Sequence, residues 1–256
     1  MFFNTLEPKN LSSTIRSNNQ WKHQAIDYIC PISRQLTGSR LDPPRYGGHW
    51  EEIGFQGTDP ATDLRGVGRT SVVHIKGLSL MRPGCEKCTT IMTSGLFISL
   101  PCVLCKEYSS GLLGLIQATY LTITPELIPF ARSALSLARN PDQEFPFLVL
   151  SINVSRIALH ALRDGLLNRL VVEDDNVWTT VNTFYAAVLH HVVDRWRREH
   201  LTITSSGHVL QEAEKTSRSS PASIVRAFER SLASDFTIES KQVAREQVER
   251  DSKEQM

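Results

Sequence analysis

Apolar positions recur three and four residues apart along most of the chain, with almost none of the strict alternation a half-buried strand needs. In residues 18–34, "NNQWKHQAIDYICPISR", Trp21, Ile26, Ile29 and Cys30 fall near helical spacing, which predicts a short opening helix stopped by Pro31. Residues 35–48 carry Pro43-Pro44 and Gly47-Gly48 and read as a linker. After Gly111 an apolar stretch predicts one helix. A second is expected from Thr124-Pro125, with a hydroxyl cap and a first-turn proline, ending at Asn140-Pro141. Leu150, Val154, Ile157 and Ala161 define a buried helix that closes near Gly165, and Glu173, Asp174 and Asp175 read as a solvated loop. Val177, Val181, Phe184, Val188 and Val192 define the strongest helix, closed by Arg195, Arg197 and Arg198 where cations suit the helix dipole. His190-His191 lies inside it; adjacent residues point in different directions, so the pair suits packing at the core edge rather than metal binding. Ser220-Pro221 opens a last core helix through Ile224, Val225, Phe228 and Leu232, before a charged tail from Glu239 to Met256. The pattern predicts an all-α fold without internal repeats.

Composition narrows the function. The 256 residues carry 28 Lys+Arg against 27 Asp+Glu, which argues against a nucleic-acid footprint or strong attraction to anionic lipid. A 41% hydrophobic content is enough for a sizeable core. The N-terminal residues lack a signal-peptide pattern, and no apolar run reaches the roughly 18 to 20 residues needed to span a bilayer. The expectation is a soluble, intracellular chain whose five cysteines stay reduced. Neither a Gly-Lys-Ser/Thr phosphate loop nor a Gly-x-Ser-x-Gly elbow is present, so no cofactor and no nucleotide turnover of its own are expected.

The segment His49 to Gly68, "HWEEIGFQGTDPATDLRGVG", is too rich in glycine for an ordinary helix. Trp50, Gly54, Phe55, Gln56, Pro60, Thr62, Asp63, Leu64, Arg65, Gly66 and Gly68 fill every fixed position of the pattern W-x3-G-[FW]-Q-x3-P-x-T-D-[FL]-R-G-x-G. In this the chain resembles the ELMO (engulfment and cell motility) domain family, and most of all the third vertebrate-type subgroup of its short members. The resemblance continues through "FPFLVLSINVSRIALHALRDG" and "VNTFYAAVLHHVVDRW" to about Phe236. It implies a single multi-helix domain over 36–236, preceded by a helical arm at 1–35 and followed by a tail at 237–256. It also implies a GTPase-activating protein for the GTP-bound form of Arf or Arf-like small GTPases. Such a protein acts in the cytoplasm or at the periphery of membranes or cytoskeleton, with Arg65 as the catalytic residue. The chemistry suits that role: charge develops on the phosphoryl oxygens, and a planar guanidinium donates two parallel hydrogen bonds that lysine cannot. Gly66 and Gly68 would permit a close approach, and Asp63 would steady the arginine. Trp50 and Phe55 suit stapling the loop to the core, and Gln56 suits satisfying loop amides. The alternative within the same resemblance is a non-catalytic module that docks on small GTPases or cytoskeletal regulators.

Joining Gly68 to Leu112 would restore "GVGLLGLIQATYL", the form in which the family motif runs into its next helix, so residues 69–111 read as an insertion or retained-intron segment. The block holds Cys85, Cys88, Cys102 and Cys105 in a C-x2-C-x13-C-x2-C arrangement, the spacing of a zinc-binding module. Its apolar spacer "TTIMTSGLFISLP" lacks polar, glycine-bearing knuckles, and the expectation is no metal. Purified protein should therefore hold well under one zinc per chain, and Cys85→Ser with Cys102→Ser should leave its helicity unchanged. Stoichiometric zinc whose chelation melts the domain would establish the zinc module instead, since structural zinc contributes about 10 to 16 kcal/mol of binding free energy coupled to folding.

Overall fold

The computed structural model describes residues 20–63, 89–93, 96–100 and 110–234. Its helices are α1 (Gln20–Thr37), α2 (Ser110–Ile123), α3 (Ile128–Ala138), α4 (Phe147–Arg163), α5 (Asn168–Asp174), α6 (Val177–Arg198), α7 (Ser206–Ser219) and α8 (221–234). The domain is all-α. Within the suspected insertion, β1 (Thr89–Thr93) pairs antiparallel with β2 (Leu96–Leu100), Thr89 opposite Leu100 and Thr93 opposite Leu96. That hairpin departs from the helix-only pattern; its Thr-rich first strand follows β-propensity.

α6 occupies the centre, packing against α2, α3, α4, α5 and α7. The predicted apolar stripe is buried, but burial goes further: every residue from Phe184 to Leu189 is buried, so this part of the helix is enclosed on all sides. Asn176 caps its start, accepting from the amides of Trp178 and Thr179 at 3.0 and 3.2 Å. Near the other end Trp196 Nε1 donates to the Gln143 carbonyl at 3.0 Å and Gln143 Nε2 donates to the Trp196 carbonyl at 2.8 Å. The exchange locks the α3–α4 connection to α6. His190 packs against the rings of Phe130 and Phe228, at 5.2 and 5.4 Å, and those two rings also meet each other at 6.4 Å.

Three local expectations need correction, and one helix was not foreseen. Pro31 does not stop α1, which runs on to Thr37. An interior proline costs about 3 kcal/mol, whereas Ile29, Ile32 and Leu36 are all buried, at about 1.5 to 3 kcal/mol each. Packing wins. The Thr124 hydroxyl makes no cap bond. Instead Pro125–Leu127 forms a 3-10 turn and α3 begins at Ile128, with a second proline, Pro129, in its first turn. Glu173 and Asp174 are not loop but the last turn of α5, where Asp174 accepts from the Thr180 hydroxyl at 2.6 Å. Only Asp175 leaves the helix, at φ 48°. α7 is not predicted by the pattern at all: its buried residues are just Val209, Ala213 and Ser217, too sparse a stripe to stand out in a polar segment.

The start of α4 is where the motif meets the core. Pro146 stands at its N-cap and offers no side-chain acceptor, so the first amides of the helix need partners from elsewhere. The Gly54 carbonyl supplies one, accepting from Val149 N–H at 3.2 Å. To do so Gly54 adopts φ 92° and lies so close that a Cβ there would sit 2.2 Å from the Phe147 nitrogen. From α3, Arg139 Nε donates to the Glu52 carbonyl at 2.9 Å, and Arg132 Nε caps the end of α1 at the Gln35 carbonyl at 2.9 Å.

Two substitutions check this account by denaturant unfolding. Phe184→Ala should lower stability by about 3 to 5 kcal/mol, and an unchanged midpoint would mean the wrong face of α6 has been assigned to the core. Gly54→Ala combines a left-handed backbone with a backbone clash and should cost about 2 to 5 kcal/mol. Gly57, at φ 112° but with open space for 4 Å around the position a Cβ would take, should lose only the backbone part, about 1 to 2 kcal/mol on Gly57→Ala. Equal losses at the two glycines would refute the clash.

Candidate functional site

The motif segment is built as a set of short turns pinned to one another. Gly47 N–H donates to the Thr58 carbonyl at 3.0 Å, bringing together the two ends of the stretch that holds the 3-10 turn Gly48–Ile53. Trp50 is fully buried and Phe55 nearly so, their rings edge to face at 6.2 Å. Trp50 Nε1 donates to the Arg45 carbonyl at 3.1 Å, so the indole is satisfied while fixing the preceding loop. Both aromatics are core residues that hold the loop down.

Beyond Phe55 the braces are carboxylates. Asp59 is the N-cap of the 3-10 turn Pro60–Thr62: its Oδ1 accepts from Ala61 N–H at 3.0 Å and forms an ion pair with Arg45 Nη1 at 2.8 Å. Pro60 is buried, and the Thr62 hydroxyl donates to the Asp59 carbonyl at 2.8 Å. Asp63 Oδ2 accepts from Gln56 N–H at 2.6 Å, closing residues 56–63 into a ring. A bond to a charged acceptor is about twice as strong as a neutral one. Gln56 is thus exposed, and the loop amide is satisfied by Asp63 rather than by the glutamine side chain. Asp59 and Arg45, which occupy no fixed position of the motif, were missed by sequence reasoning. The available signal was the Asp59-Pro60 dipeptide, a capping residue followed by a first-turn proline.

Leu64, Arg65, Gly66 and Gly68 lie outside the described residues, as do Cys85, Cys88, Cys102 and Cys105. The described chain reaches Asp63, and Arg65 follows by two peptide units, at most about 7 Å of extended chain. The geometry therefore defines the base from which the arginine starts. Beside the 3-10 turn Gly48–Ile53 a groove of about 640 Å³ is lined by Glu52, Phe55, Leu135, Arg139, Phe145 and Ile203, among others. Among the described residues no group of three or more His, Cys, Asp or Glu side chains converges as a metal site, and no helix is long and apolar enough to cross a membrane.

Comparison with known proteins matches this architecture to one family. The ELMO/CED-12 family model matches residues 9–76 and 108–210, so the match is interrupted inside the block suspected of being inserted. ELMO domain-containing protein 3 of Bos taurus is 34% identical over 202 residues, and its Homo sapiens counterpart 33%; each alignment covers 79% of this chain and 42% of the relative. The chain therefore spans about two-fifths of the length of these curated relatives. No solved structure matches it. With the family model covering well over half of the chain and a braced loop where the motif falls, this protein belongs to the ELMO/CED-12 family.

Proposed function

We propose that this chain stimulates GTP hydrolysis by an Arf or Arf-like small GTPase, supplying Arg65 in trans and performing no turnover of its own. The observation that carries the reading is the bracing of residues 47–63: Gly47 to Thr58, Arg45 to Asp59 and Gln56 to Asp63 fix the chain up to two residues before the arginine. A finger acts by placing charge where it develops in the transition state, which rewards a base held rigid before the partner arrives. In this reading Asp63 orients the arginine by fixing the chain that leads to it. Gly66 and Gly68 relieve steric conflict at the approach, and Trp50, Gly54, Phe55 and Pro60 anchor the base in the core. We further propose that residues 69–111 are an insertion that obstructs the site, and that the protein works in the cytoplasm or peripherally at membranes or cytoskeleton.

Single-turnover GTP hydrolysis with a panel of Arf-like GTPases tests the reading, using the full chain and a version lacking 69–111. The shortened version should be the more active. In it Arg65→Lys should abolish stimulation with the circular dichroism spectrum and GTPase affinity nearly intact. A finger worth about 10³ to 10⁵ in rate corresponds to roughly 4 to 7 kcal/mol of barrier. Asp63→Ala should have a smaller effect. If Arg65→Lys keeps more than about a tenth of the stimulated rate, a difference of only about 1.4 kcal/mol, the catalytic reading fails and a binding module takes its place.

A further inference from the structure

The helices of the domain are not equally rooted. Every residue of α6 from Phe184 to Leu189 is buried, and α8 sends Ile224, Val225 and Phe228 into the core. α7, between them in the chain, buries only Val209, Ala213 and Ser217, a thin seam of small side chains four residues apart. What else holds it is charge. Arg195 of α6 pairs with Glu212, His160 Nδ1 of α4 lies 3.5 Å from Glu214 Oε1, and Arg218 Nη1 pairs at 2.7 Å with Asp164 Oδ2 just past the end of α4. Each of these side chains keeps between 22% and 49% of its surface in solvent, within reach of dissolved salt. The chain also breaks at both ends of the helix. His200 turns away from α6 at φ 50°, Ser205 gives α7 no side-chain cap, and Ser220 leaves it at φ −150° and ψ 69°.

An isolated helix of 14 residues is marginal in water, so α7 persists only while it is docked. Segments with few buried apolar contacts open at lower free energy than the core. We propose that α7 is a charge-latched strap: it opens as a unit, pivoting at His200 and Ser220, while α4, α6 and α8 stay folded. Beyond the strap the chain is anchored again, because Phe228 packs on the His190 ring at 5.4 Å and Ser231 Oγ lies 3.2 Å from His190 Nε2. Opening therefore stops at Ser220. The 3-10 turn Ile203–Ser205 in front of α7 moves with it, and this gives the strap a bearing on the site: Ile203 lines the groove that Glu52 and Phe55 of the motif segment also line. Release of the latch takes that wall from the groove, so the charge pairs on α4, α6 and α7 set the shape of the surface beside the motif.

Native-state hydrogen exchange of the full chain, read at residue resolution, tests this because it follows α4, α6, α7 and α8 in one sample. Protected amides in 206–219 should exchange at least about a hundredfold faster than those in 184–193. Raising NaCl from about 0.1 to about 1 M shortens the screening length from about 10 to about 3 Å, and should speed α7 at least about threefold while leaving α6 unchanged. The combined substitutions Glu212→Gln, Glu214→Gln and Arg218→Gln should give at low salt the fast exchange that the wild type shows at high salt, with no further response to salt. In each case the Ser205 amide, bonded to the Thr202 carbonyl at 2.9 Å, should follow α7. Exchange of α7 at the rate of α6 would show that it opens only with the whole domain, and the strap is refuted. Fast exchange indifferent to salt and to the three substitutions refutes the charge latch. A Ser205 amide that responds to neither refutes the link to the groove.

Discussion

The contact between Gly54 and the first turn of α4 is the constraint on which the rest of the site depends. A helix that begins after proline has no side-chain cap, and its first amides look outward for acceptors. Here the acceptor is the carbonyl of a loop residue nearly a hundred positions earlier in the chain, delivered at 3.2 Å by a backbone that only glycine adopts at ease and at a distance that leaves no room for a Cβ. The two neighbours of this glycine along the motif are therefore committed as well: Ile53 and Phe55 must enter the core, and Trp50 stacks its edge on Phe55. A loop fixed at this point by sterics has little freedom left. The carboxylate braces at Asp59 and Asp63 then settle the part that emerges into solvent.

How much of this was legible in the sequence depended on whether a local signal reported a tertiary event. α4 and α6 were readable because burial over 17 and 22 residues writes a long periodic pattern. α5 and α7 were not: a seven-residue helix with one buried side chain, and a polar helix with three, carry too few apolar positions to define a period. The continuation of α1 through Pro31 depends on partners in α2 and α3, which no window around the proline contains. The all-round burial of α6 was hidden for the opposite reason, since small residues such as Ala186 and Ala187 and the polar Asn182 do not announce themselves as core.

At the site the residue types were legible while the division of labour among them was not. The motif identified Gly54 but not its role, because a glycine needed for φ and one needed for close approach look alike in sequence; Gly57, open on all sides, shows the contrast. The Asp63 carboxylate accepts the Gln56 amide, a backbone partner that the motif pattern does not announce. Arg45, outside the motif, holds three groups together through its guanidinium and its carbonyl, a role that emerges only when Tyr46, Trp50 and Asp59 are seen in one place.

The same geometry explains how a long interruption after the motif is compatible with an intact core. Asp63 is fixed by the loop braces, and α2, which opens at Ser110, is fixed by packing against α1 and α4. Whatever lies between them has only to close the distance. The entropic cost of closure grows with the logarithm of length, about 0.6 kcal/mol per doubling. Growth from a few residues to several tens is three or four doublings, or about 2 kcal/mol, which the burial of α2 side chains such as Leu115, Ala118 and Leu121 readily offsets. Chain stability is therefore a weak filter against extra residues between Asp63 and Ser110, because the core contacts of α2 do not depend on the length of the connection that precedes it.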